Sequence, residues 1–248
     1  MKLLFICSLV LGCGAAFGES QLVVDRGLPV KNLNDGAGAV ARANVRWSWY
    51  ETGFVGDDVA IGSPGERWVI DRVKVWNVPG GKAIGDPDFL GDLYKDVRLY
   101  FGGSEGLTPV AVGELARGSN QPANAHIAIS EARTSDGEYA YYEDFGATVR
   151  VWEIEFSDLN LAVAGGASYT FGAFGLGRPE PGGEGLYPWY NHASNAGLGA
   201  APAQGADDQV RLVKASGQSA DVFVSQGKGW NKNSDINVQV FAHRVSSN

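Results

Sequence analysis

Short stretches in which apolar and polar residues alternate recur along this chain. Val97, Leu99 and Phe101 alternate with Asp96, Arg98 and Tyr100. Trp152, Ile154 and Phe156 alternate with Val151, Glu153 and Glu155. Ile236, Val238, Val240 and Ala242 alternate with Asn237, Gln239, Phe241 and His243. A period of two sends one set of side chains to a core and the other to solvent, so each stretch predicts a half-buried strand. The run 67–76 is apolar on both faces, with Trp68, Ile70 and Trp76 against Val69, Val73 and Val75. That pattern predicts a central strand covered on both sides. Turn residues punctuate the runs at Asn34-Asp35-Gly36, Pro79-Gly80-Gly81, Gly102-Gly103, Asp136-Gly137 and Gly165-Gly166. No window shows a capped amphipathic helix. Gly177 to Gly185 and Ala193 to Ala206 read as long loops, and neither a repeat nor a linker divides the chain. The expected fold is all-β: a single antiparallel β-sandwich over residues 19–248.

Composition sharpens this picture. The 35 glycines serve the many turns of a sandwich, and 44% hydrophobic residues among 248 suffice for a large core. A net charge of −8 argues against nucleic acid, whose phosphates select basic surfaces, and against a polybasic membrane-surface role. The amino end reads as a signal peptide over residues 1–18. Lys2 supplies the positive region, and Leu3 to Leu11 supply an apolar region too short to span a bilayer. Ala16-Phe17-Gly18 then places small residues at the −3 and −1 positions. The reading is a secreted, extracellular protein. Val10-Leu11-Gly12-Cys13 leaves open a lipid anchor through Cys13. Both cysteines, Cys7 and Cys13, lie in this segment, so the mature chain is expected to lack disulfides, thiol catalysis and zinc–thiolate sites. No second apolar stretch is long enough for a transmembrane segment.

Several segments together resemble secreted bacterial β-sandwich exoproteins of unassigned activity, which often carry exchangeable anchor or sorting tails. These segments are Asp57-Asp58-Val59, then Glu66-Arg67-Trp68-Val69-Ile70-Asp71-Arg72-Val73, then Ala164-Gly165-Gly166-Ala167-Ser168-Tyr169-Thr170-Phe171. The closing piece is Gly229-Trp230 with Ser234 to Phe241. They cover about a third of the chain. Val59 stands where an aromatic is usual. The resemblance implies a jelly-roll-like sandwich at the cell exterior and carries no reaction with it.

Candidate chemistry is sparse. Gly102-Gly103-Ser104-Glu105-Gly106 matches the serine-hydrolase elbow, but that elbow needs a following helix, and Leu107 to Val112 read as a strand. Gly36-Ala37-Gly38-Ala39-Val40-Ala41 lacks the βαβ context of a dinucleotide site. Glu153-Ile154-Glu155-Phe156-Ser157-Asp158 resembles the acidic strand motif of jelly-roll β-glucanases, in which alternate acids share one face. Glu153 and Glu155 are therefore the catalytic candidates, with Glu and Asp exchanged at the second and third acids. Asp86, Asp88 and Asp92 crowd one Pro/Gly loop and are calcium candidates, with Asp57-Asp58 and Asp207-Asp208 weaker ones. His126, His192 and His243 lack metal-ligand spacing. Tyr187-Pro188-Trp189-Tyr190-Asn191-His192 and Trp230 mix flat aromatic faces with amide and imidazole groups, as sugar recognition requires.

The leading functional expectation is an extracellular non-enzymatic module that binds polysaccharide or another cell-surface polymer through Trp189, Tyr190, Asn191, His192 and Trp230. A glycoside hydrolase using Glu153 and Glu155 is the first alternative. A structural exoprotein without a small ligand is the second. No cofactor is expected beyond a structural calcium ion.

Overall fold

The computed structural model describes residues 19–33, 45–48, 53–79, 88–103, 107–144, 147–180, 185–192, 210–214, 220–223 and 235–246. Residues 1–18 with Cys13, together with Asp86 and Trp230, lie outside them.

The protein is an antiparallel β-sandwich. The first sheet runs β1 (Gln21–Asp25), β16 (Val238–Arg244), β4 (Arg67–Pro79), β10 (Trp152–Phe156), β7 (Ile127–Glu131). β4 is its long axis. β11 (Leu161–Ala164) continues the line of β10 along one side of β4. β13 (Trp189–His192) continues the line of β16 along the other, with β2 (Val45–Ser48) outside it. The second sheet runs β15 (Ala220–Phe223), β14 (Val210–Lys214), β3 (Gly53–Ala60), β12 (Ser168–Phe174), β5 (Asp96–Gly102), β6 (Thr108–Glu114). A hairpin of β8 (Tyr141–Asp144) and β9 (Ala147–Arg150) and the single turn α1 (Leu90–Leu93) complete the described elements. The first strand pairs with the last, and the chain passes repeatedly between sheets, which is the all-β sandwich that the alternation predicts.

The predicted inward sets are the core. Val97, Leu99 and Phe101 of β5 meet Trp152, Ile154 and Phe156 of β10 and Ile236, Val238, Val240 and Ala242 around β16 in one cluster. These residues come from opposite sheets and from both halves of the chain, so burying their apolar area joins the layers.

β4 departs from its predicted phase. Its ladder with β16 pairs Phe241 with Arg72 but Ala242 with Ile70, leaving Asp71 as an extra residue. This bulge shifts the alternation by one. Trp68 and Ile70 before it, and Val73 and Val75 after it, therefore all face the main core. Trp76 and Val78 point to the other face, into a second cluster with Leu33, Ala132, Ala140, Tyr142 and Val151. The double-faced apolar run thus has two causes: a phase change, and a flap formed by residues 28–33 and the β8–β9 hairpin that covers one end of the outer face.

The turn signals hold where they are described. Gly166 has φ +73 beside Pro64, and Gly137 has φ +80 and closes on Thr134. β5 runs through Gly102 and returns as β6, so a strand follows the Ser104 motif where an elbow needs a helix. β6 is an outermost strand, and Pro109 within it blunts an exposed edge against pairing with other chains.

One feature of the core is not apolar. Val55, Asp57 and Val59 of β3 alternate inward, so Asp57 sits at a core position and is fully buried. Arg26, just after β1, is also buried and reaches across from the first sheet. Its guanidinium donates to the Asp57 carboxylate at 2.6 Å, to the Ile236 carbonyl at 3.0 Å and to the Asp58 carbonyl at 2.7 Å. Asp57 also accepts from the Ile236 and Asp58 amides. One ion pair therefore ties together the end of β1, the middle of β3 and the approach to β16. Burial pushes the Asp57 carboxyl up to about 7, with Arg26 acting against that rise and the Asp235 charge adding to it.

Candidate functional site

The acid pair on β10 is the first place to look for chemistry. Glu153 and Glu155 do share the outer face of the first sheet, because Trp152, Ile154 and Phe156 between them are taken by the core. Register decides what they meet. Glu155 lies opposite Lys74 of β4, and Glu153 lies opposite Trp76. The Lys74 ammonium stands between the two acids, 2.7 Å from Glu153 and 3.2 Å from Glu155, and Arg72 approaches Glu155 at 3.6 Å. Partial burial works to lower the Lys74 pKa, but its hydrogen bonds and charge contacts with both acids outweigh that and hold it above the usual value. Asp158, the third acid of the motif, has left the strand at φ 52 and pairs with His126 at 2.7 Å. Retaining hydrolysis needs two carboxylates flanking an open space for the scissile bond. Here a lysine head occupies the space between them.

The aromatic segment expected to bind sugar is a strand of the first sheet. Trp189 to His192 form β13, hydrogen-bonded between β2 and β4, so this is sheet interior and not a loop. Trp189 is 1% exposed, packs edge-on against Tyr94 with ring centroids 5.0 Å apart, and donates its indole N–H to Asn191 at 2.9 Å. Asn191 in turn donates to the Val55 carbonyl of the opposite sheet. His192 is buried, and Tyr190 packs against the second cluster. A ring turned into the core cannot stack on a sugar, so Trp189, Asn191 and His192 do not form a surface platform.

The calcium candidates within the described residues serve as loop fasteners. Asp88 meets Arg150 at 3.3 Å, and its carbonyl accepts from Asn120. Asp92 accepts the Gly118 amide at 2.9 Å. Asp57 faces Arg26. Among the described residues, no group of three His, Cys, Asp or Glu side chains is placed to hold a metal ion.

The structure instead assembles a recess of about 350 Å³ at the edge strand β7. Ser130 and Glu131 come from β7, Glu153 from β10, Asn120 from the loop after β6, and Arg133 and Tyr139 from the hairpin that follows β7, with buried Trp152 beneath. Tyr139 is 52% exposed, the most exposed large aromatic among the described residues. Arg133 holds it: the guanidinium lies 4.0 Å from the ring centroid, donates to the Tyr139 hydroxyl at 2.7 Å and donates to the Gly137 carbonyl at 2.7 Å. That contact covers one ring face and favours one ring angle by about 0.5–1 kcal/mol, as at an exposed site. Glu131 is paired with Arg150 and Glu153 with Lys74, each through one oxygen. An ionised carboxylate offers about four acceptor directions, so both keep capacity for further donors. The recess therefore combines an aromatic plate with carboxylate, hydroxyl and amide groups. Of these residues, the sequence points to Glu153 as a site candidate and to Trp152 as core.

No family model matches this chain, and no curated protein or solved structure matches it.

Proposed function

We propose that this protein is an exported, non-catalytic β-sandwich module that binds a neutral polysaccharide at the Tyr139 recess. The observation that supports the reading is the half-exposed Tyr139 ring, held by Arg133 at the rim of a pocket lined by Glu131, Glu153, Ser130 and Asn120. Sugar rings present apolar C–H faces that stack on an aromatic plate, and hydroxyls that donate to carboxylates and accept from amides. Non-catalytic binding is favoured over hydrolysis because Lys74 stands between Glu153 and Glu155. Export rests on the residues 1–18 pattern. The reading keeps the glycan class expected from the sequence and moves it from Trp189 to Tyr139.

Calorimetric titration with a panel of neutral oligosaccharides tests it. Tyr139→Ala should weaken binding about tenfold, equivalent to roughly 1.4 kcal/mol, and leave the melting temperature unchanged because the side chain is at the surface. Equal binding by Tyr139→Ala would remove the recess from consideration. The same oligosaccharides should stay intact on prolonged incubation. Release of reducing ends by the wild type but not by Glu153→Gln would instead restore the hydrolase alternative.

A further inference from the structure

A larger cavity lies on the opposite side of the same hairpin. We infer that the groove of about 610 Å³ between residues 25–31 and 134–138 binds an extended, lysine- or arginine-bearing segment of a partner protein. The inference is independent of the glycan reading. Arg133 and Tyr139 pair across the hairpin and face the recess, whereas Thr134 and Glu138, the next pair inward, line the groove. The lining is apolar at Leu28, Pro29 and Val30, of which Leu28 and Val30 also pack against the second cluster; it carries the carboxylates of Asp25, Asp136 and Glu138, and its cations Arg26 and Lys31 each already face a carboxylate.

That combination matches a basic side chain in two parts. An aliphatic stem lies along apolar surface while its charged head reaches a carboxylate at the edge. The chain already shows the arrangement in cis. Lys31 lines the groove and reaches Glu138 at 3.1 Å, with the two side chains 58% and 54% exposed. So exposed a pair contributes little and yields readily to a competing cation. Asp25 is held by the Gly27 amide and the Gln239 side chain, which makes it part of the frame. Shape favours a linear occupant. Asp25 to Lys31 line the groove without a break, a wall of up to about 20 Å, which a compact ligand would leave mostly empty. The groove contains no aromatic residue, which separates it chemically from the sugar recess.

The probe is a fluorescent peptide alternating lysine and valine, followed by anisotropy with the full mature chain. Binding should weaken about tenfold in the Asp136→Asn/Glu138→Gln double variant, since two exposed charge contacts are lost. It should tighten about twofold in Lys31→Ala, fall with added salt, and be unaffected by Tyr139→Ala. The altered side chains are exposed, so melting temperatures should hold. Undiminished binding by the double variant overturns the inference. So does equal binding of a glutamate–valine peptide, or binding of a chitosan tetramer but not of the peptide.

Discussion

Above pH 7, where its carboxyl is ionised, Asp57→Ala should destabilise the fold by about 3–5 kcal/mol, because it removes the carboxylate paired with the buried Arg26 guanidinium. It also strips the Ile236 and Asp58 amides of their acceptor. A loss of that size is a large share of the 5–15 kcal/mol that a domain typically possesses. Urea denaturation should show a markedly lower midpoint, and Arg26→Ala should behave similarly. The pair Arg26→Met with Asp57→Leu should recover the part due to the broken ion pair, since apolar replacement of a whole buried pair is often neutral, while the Ile236 and Asp58 amides keep the lost acceptor as a remaining cost. If Asp57→Ala left the midpoint unchanged, the ion pair would not be the inter-sheet tie described.

The same residue gives a pH signature. The folded carboxyl keeps its proton up to about 7, whereas the ordinary value is 3.8. Between those limits the folded state binds more protons than the unfolded one, so this group's contribution to stability falls as pH rises. This proton-linked part is fully present below 3.8 and lost above about 7, where the pairing of the ionised carboxylate with Arg26 is what remains. Asp57→Asn, which cannot titrate, should flatten the change in unfolding free energy between pH 4.5 and 7.5. An identical pH trend in the two proteins would assign the titration elsewhere.

Much of this core was legible because burial imposes a period of two. β5, β10 and β16 appear in the alternation of Val97, Trp152 and Val238 with their neighbours, and the structure buries those residues. Asp57 was legible in part. An acid at the core phase of Val55-x-Asp57-x-Val59 is a signal of a buried partner, but nothing local identifies Arg26, thirty-one positions away. The phase change in β4 was not legible, because a bulge at Asp71 looks like a strand apolar on both faces until its pairing is known. The same limit applied to Glu153 and Glu155. Their shared face follows from alternation, whereas Lys74 between them follows from cross-strand register. Tyr139 had a usable signal. A turn at Asp136-Gly137 sets Arg133 across from Tyr139, a cation opposite an aromatic ring. The rest of the recess joins β7, β10 and a distant loop, and only the tertiary fold brings those together.

Trp189→Ala is expected to cost about 3–5 kcal/mol and to leave glycan affinity unchanged in the protein that remains folded. A tryptophan among asparagine, histidine and tyrosine looks like a binding platform, and a platform variant would do the reverse. The structure gives the reason for the difference. The Trp189 ring lies so close to Gly175 that even a methyl group there would meet it at 2.5 Å, so the ring fills its space completely. Truncation would open a cavity beside Tyr94 and remove the indole N–H that Asn191 accepts. Asn191 also bonds across to Val55, so the disturbance would pass to the opposite sheet. Thermal melts should show a clear drop, and titration well below the new midpoint should give wild-type affinity. A normal melt with weakened binding would return Trp189 to the surface. The contrast with Tyr139, whose truncation should affect binding and not the melt, follows from one physical difference. A side chain enclosed on every side contributes to folding, and only a ring with an open face can be given to a ligand.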